Sequence, residues 1–167
     1  MPTARITISE RSLAKTIFAA GFIAGALDIL GAILVYAIVQ QKTTATKILQ
    51  SVASGVFGKE AYSGVTSMAL YGLLFHFIIA FAFATGYIVL YAYLPFLRKH
   101  KITAGLIYGL FAWLLMNFIV LPIAFTKRAP MTVESALVGL LLVMLLVGLP
   151  ISLITHKYYA TRKTNRS

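Results

Sequence analysis

Polar residues thin out four times along the chain. The segments 16–40, 68–94, 102–125 and 133–155 are almost wholly apolar, and each exceeds the roughly 20 residues a helix needs to cross a bilayer's hydrocarbon core. The pattern predicts an all-α integral membrane protein, a four-transmembrane-helix bundle. The connection 41–67 is too long for a simple turn. Within it Ile48, Leu49, Val52, Val56 and Phe57 recur at helical spacing, with Lys47, Gln50, Ser51 and Ser54 between them. This predicts a short amphipathic helix over about 46–57, closed by Gly58. It lies either on the outer membrane face or packed over the bundle mouth.

Local signals punctuate the pattern. Ser9 or Ser12 is placed to cap the first helix. Pro95 ends the second span, and the turn 96–101 leads straight into the third, a connection short enough to make those helices antiparallel neighbours. Pro122 lies near the outer end of the third span. Pro130 precedes the fourth, where Thr132 is a cap candidate and Glu134 suits the helix's positive end. Pro150 cannot donate to Leu146, so a kink is expected inside the fourth span.

Composition agrees with the pattern. Hydrophobic residues make up 60% of the chain and charged residues 11%, against roughly 45–50% and 25% in soluble domains. Four spans use most of the 167 residues, leaving a single membrane domain over 1–167 and no room for a soluble catalytic domain. Arg5, Arg11 and Lys15 precede the first stretch as in a secretory signal. Its apolar length exceeds the ~7–15 residues of a signal, so it reads as a retained span. Cysteine is absent, which excludes disulfides, thiol nucleophiles and cysteine metal ligands.

The net charge of +11 points to membrane topology rather than to nucleic acid. Arg5, Arg11, Lys15, Arg98, Lys99, Lys101, Lys157, Arg162, Lys163 and Arg166 flank one face. Lys42, Lys47, Lys59, Lys127 and Arg128 flank the other. The richer face predicts both termini in the cytoplasm, with anionic lipid against the basic fringe.

Asp28 is the only charge inside the first apolar stretch. A carboxylate at that depth costs roughly 2.5–3.5 kcal/mol on insertion scales, so it needs a partner, a wet cavity or a proton. Gly21, Gly25, Asp28 and Ala32 share one helix face, and Gly105, Gly109 and Ala112 repeat the device in the third span. Small residues let helices approach closely, which directs Asp28 into a helix contact. In the second span His76 aligns with Gly72, Ile79, Phe83 and Gly86. Asp28 and His76 fall within about a turn of the same depth, and they are expected to meet between spans one and two. Such a pair serves either proton coupling and substrate binding or a hydrogen-bonded clasp that fixes register. Asn117 either joins the cluster or bonds carbonyls freed near Pro122.

Other chemistry fails on inventory. His100 sits in a loop and His156 at a helix end, so haem or zinc would lack a second deep ligand. No catalytic residue, metal site or cofactor is assigned. Tyr36, Tyr71, Tyr91, Tyr93 and Tyr158 read as interfacial belt residues.

The run His76, Phe83, Gly86-Tyr87, Pro95, Gly105-Leu106 with Gly109, Pro122 and Pro130 resembles the YagU-type inner-membrane proteins of bacteria, over roughly 72–131. The resemblance implies a small multi-span protein of the bacterial cytoplasmic membrane. Family activity is not established, and the first span departs from the pattern, so neither a catalytic role nor support for Asp28 carries over. The functional expectation is a small transporter or channel component using Asp28 and His76. The alternative is a non-catalytic accessory or assembly protein whose glycine faces bind a second copy or another membrane protein. An intramembrane enzyme would need a reactive centre that the sequence does not offer.

Overall fold

A computed structural model describes residues 10–125 and 132–164. Arg5, Ser9, Lys127, Arg128, Pro130 and Arg166 lie outside the described residues, as do the side chains of Arg11, Ser12, Arg162 and Lys163. The elements are α1 (Glu10–Ala32), α2 (Ala45–Phe57), α3 (Val65–Tyr93), α4 (Pro95–Lys99), α5 (Lys101–Leu115), α6 (Leu121–Ala124), α7 (Val133–Leu142) and α8 (Leu149–Thr164). Three π-helical segments, Ile33–Val39, Met116–Val120 and Val143–Gly148, extend or join them. Four continuous helical runs result, Leu13–Val39, Thr66–Tyr93, Lys101–Ala124 and Val133–Ala160, each 24 to 28 residues long. All are long and apolar enough to span a bilayer. The protein is a multi-pass helical membrane bundle. Four crossings return the chain to the side where it began, here called the terminal face; α2 lies on the opposite side.

The distribution of side chains fits hydrocarbon as the solvent. Leu30, Leu34, Leu70, Ile78, Phe118 and Ile123 point outward, whereas alanines and tyrosines fill the interior. Small residues inside bring backbones together where no hydrophobic drive exists.

Local chemistry sets the ends of the helices. Thr132 accepts from the Ser135 N–H at 3.2 Å and caps α7. Thr44 does the same for α2, from Lys47 at 3.3 Å. Ser12 lies within α1 and is not its cap. Gly58 ends α2 at φ +58°, a conformation that favours glycine. Arg98 donates to the carbonyls of Tyr91 and Ala92, closing the end of α3.

The prolines act through widened turns. Pro122 and Pro150 each stand two residues beyond a π-helical segment. A proline has no N–H and its ring crowds the carbonyl four residues back. Shifting the preceding turn to a five-residue register accommodates it. The Leu149 N–H accordingly reaches the Met144 carbonyl. The irregularity expected at Pro150 therefore takes the form of a register change just before it.

Neighbour relations differ from those expected. α4 does join α3 to α5, but α5 packs mainly against Val143–Gly148 and α8, while α1 packs against α3 and the fourth span. The cause is a glycine crossing. A Cβ on Gly105 would lie 3.0 Å from the Gly148 carbonyl oxygen, and one on Gly148 would lie 2.6 Å from the Gly109 nitrogen. Backbones that close recruit the fourth span despite the short loop. α3 and α5 meet toward the terminal face, where the Tyr108 hydroxyl donates to the Phe83 carbonyl at 2.7 Å. Beyond that point they splay apart.

Candidate functional site

The splay leaves a cavity of about 660 Å³, walled by all four spans and roofed by α2. Phe75, Ile79 and Phe83 of the second span face Trp113, Met116 and Val120 of the third. Gly25 and Asp28 of the first span lie behind, with Val143 and Val147 of the fourth. The roof is seated firmly. A Cβ at Gly72 would collide with the Leu49 backbone, so only glycine lets α2 settle onto α3. Gln50 then donates from Nε2 to the Gly64 carbonyl at 3.1 Å. Of the two dispositions open to this amphipathic helix, it adopts the one over the bundle mouth.

Asp28, His76 and Asn117 all line this cavity, each from a different span. They do not bond to one another as the sequence suggests. His76 Nε2 lies 2.9 Å from the Gly25 carbonyl oxygen. A carbonyl can only accept, so Nε2 carries the proton and Nδ1 keeps its lone pair when the ring is neutral. Gly25 makes this approach available, since a Cβ there would stand 2.9 Å from Phe77 and 3.0 Å from Ala80. Asp28 stands one turn further along α1. It makes no hydrogen bond or ion pair among the described residues, but it lies within electrostatic reach of His76 and Tyr36. In place of the direct meeting expected between Asp28 and His76, there is a histidine–backbone bond beside a carboxylate that lines the cavity.

Asn117 sits in the Met116–Val120 segment and donates from Nδ2 to the Trp113 carbonyl at 2.9 Å. It thus serves the widened helix and the cavity wall together. Near the roof, Ser51, Ser54 and Tyr62 add hydroxyls. Ser54 donates to the Ser51 carbonyl at 2.7 Å, and its oxygen lies 3.4 Å from the Tyr62 hydroxyl. Among the described lining residues Asp28 is the only acidic side chain, and none is a lysine or arginine.

The glycines of the first and third spans are occupied inside the molecule. Gly21 and Gly25 receive Phe81 and Phe77, Gly105 and Gly109 receive the fourth span, and Gly86 faces the Tyr108 hydroxyl at 3.2 Å.

A second polar cluster, toward the terminal face, escapes sequence reading. Tyr87 and Ser152 share a hydrogen bond of 2.6 Å, and Tyr91 and His156 one of 3.1 Å. Each pair is 65 residues apart, so two parallel helices match their i, i+4 polar positions rung by rung. Ser152 also donates to the Lys101 carbonyl at 2.6 Å. Tyr108 packs edge-on against Tyr87 at 4.9 Å, and Tyr159 stacks on Tyr91 at 4.8 Å. Tyr91 is therefore a core residue rather than a belt residue. Tyr36 likewise turns inward beside Trp113 at Gly139, and Tyr158 buries its hydroxyl, whereas Tyr93 and Tyr71 are exposed. The repeated four-residue spacing of Tyr87 with Tyr91 and of Ser152 with His156 was the available signal.

No family model, curated protein or solved structure matches the chain.

Proposed function

We propose that the protein is a small membrane transporter or channel component that holds an amphiphilic molecule in this cavity and couples it to protonation at Asp28 and His76. One observation carries the reading. A carboxylate in the membrane interior faces a cavity large enough for a small ligand, beside an imidazole held by a backbone carbonyl. The accessory reading is weaker, because the glycine faces it would use are filled by this chain's own helices. The charge distribution supports a cytoplasmic terminal face against anionic lipid, and the motif run 72–131 supports placement in the bacterial inner membrane with the YagU-type proteins.

The test is flux in reconstituted vesicles loaded with a pH-reporting dye and holding a proton gradient. The native protein should dissipate the gradient when amphiphilic amines, alcohols or acids are added in turn. Asp28→Asn keeps the shape and removes the charge, and it should abolish that response in a protein that still folds. Equal dissipation by both proteins would discard the coupling role.

A further inference from the structure

We infer that the cavity's ligand class is the lipophilic organic cation, entering sideways from the bilayer between the second and third spans. The inference rests on the binding role proposed above for the cavity and adds the sign of the charge and the route.

Charge is the first argument. Asp28 is the sole formal charge among the described lining residues when His76 is neutral, and it makes no hydrogen bond to any described residue. His76 directs its Nε2 proton to the Gly25 carbonyl, not to the cavity. Among the described lining residues there is no lysine or arginine, so an anionic guest would meet Asp28 there and no opposite charge. A cation would pair with that carboxylate in a medium of low dielectric, where such attraction is strongest.

The walls supply the second argument. Phe75, Phe83 and Trp113 face the same space, with Tyr62 near the roof. Aromatic faces attract cations, and the effect grows when water is excluded. A volume of about 660 Å³ suits a guest of drug-like size rather than a bare ion. Access is the third. Spans one and four close the back, α2 closes the top and the Tyr108–Phe83 contact closes the bottom. Among the described residues, the remaining side is the gap between α3 and the Met116–Val120 segment, both of which belong to apolar spans. A guest using it must already be dissolved in lipid.

Two probes of the same size and shape and opposite charge, tetraphenylphosphonium and tetraphenylborate, separate these claims, with neutral triphenylphosphine oxide as a third. Trp113 is the chain's single tryptophan and lines the cavity, so its fluorescence in detergent-solubilised protein reports occupancy without any transport. Tetraphenylphosphonium should quench it saturably, and tetraphenylborate should neither quench it nor compete. Asp28→Asn should weaken the cation at least about tenfold, and Asp28→Glu should restore it. Quenching by tetraphenylborate as strong as by the phosphonium would overturn the inference, as would stronger quenching by the neutral oxide. These comparisons use the native protein and stand even if a variant unfolds. Saturable cation binding without flux would remove the transport reading and leave this one intact. Flux driven only by neutral or acidic amphiphiles would do the reverse.

Discussion

Toward the terminal face, Tyr87, Tyr91, Tyr108, Ser152 and His156 are packed against one another and hydrogen-bonded between helices. Toward the α2 side, Asp28, His76 and Asn117 come from three helices to a shared cavity, where His76 bonds to the Gly25 carbonyl and Asn117 to the Trp113 carbonyl. The difference lies in the backbone more than in the kinds of residue present. In the first region Gly105, Gly109 and Gly148 bring two helices into backbone contact. In the second, the splay of α3 from the third span and the wide turn at Met116–Val120 hold the helices apart. Polar groups that close up between helices act as interhelical glue. Polar groups that face space are available to a ligand.

Breaking the packed region should have the largest effect. Gly148→Leu drives a side chain into the backbone of Gly105 and Gly109, and it should cost about 3 kcal/mol or more. Thermal unfolding in detergent checks this, with Gly86→Ala as a mild control because its nearest obstacle is one hydroxyl. An unshifted unfolding temperature for Gly148→Leu would contradict the crossing. The tyrosine ladder comes next. Ser152→Ala removes two hydrogen bonds, those to the buried Tyr87 hydroxyl and to the Lys101 carbonyl, for about 2 kcal/mol, whereas Tyr87→Phe leaves Ser152 its bond to Lys101 and should cost about 1 kcal/mol. The order of the two variants is the diagnostic result.

The cavity should respond in the opposite sense. Asp28→Asn removes no hydrogen bond among the described residues, so unfolding should move by about 0.5 kcal/mol or less. A loss as large as that of Ser152→Ala would make Asp28 a structural residue and erase the contrast between the two regions. Ser51→Ala should be smallest of all, near zero, because its hydroxyl only returns to the Ile48 carbonyl of its own helix at 2.6 Å.

Much of the architecture was legible from local pattern. The stretch 46–57 with Gly58 after it corresponds to α2 and its left-handed end, and Thr132 caps the fourth span. Lateral arrangement was not legible. A membrane helix is apolar toward lipid and toward its neighbours alike, so its periodicity does not reveal which face is inside. Tyr91 shows the consequence. Its place near a span end suggests the interface, yet it lies in the core because Tyr159 and His156 cover it. His76 shows another. Depth alone pairs it with Asp28, but the close approach at Gly25 offers it a carbonyl first.

The amino-acid sequence by itself determined the number of spans, their ends, the roof helix and the three deep polar residues, because each depends on hydropathy or capping within a few residues of chain. Only the tertiary structure decided which helices touch, which tyrosines are buried and that Asp28 faces open volume. Those outcomes depend on where glycine-lined backbones meet and where proline-widened turns hold them apart, contacts between residues far separated in the chain.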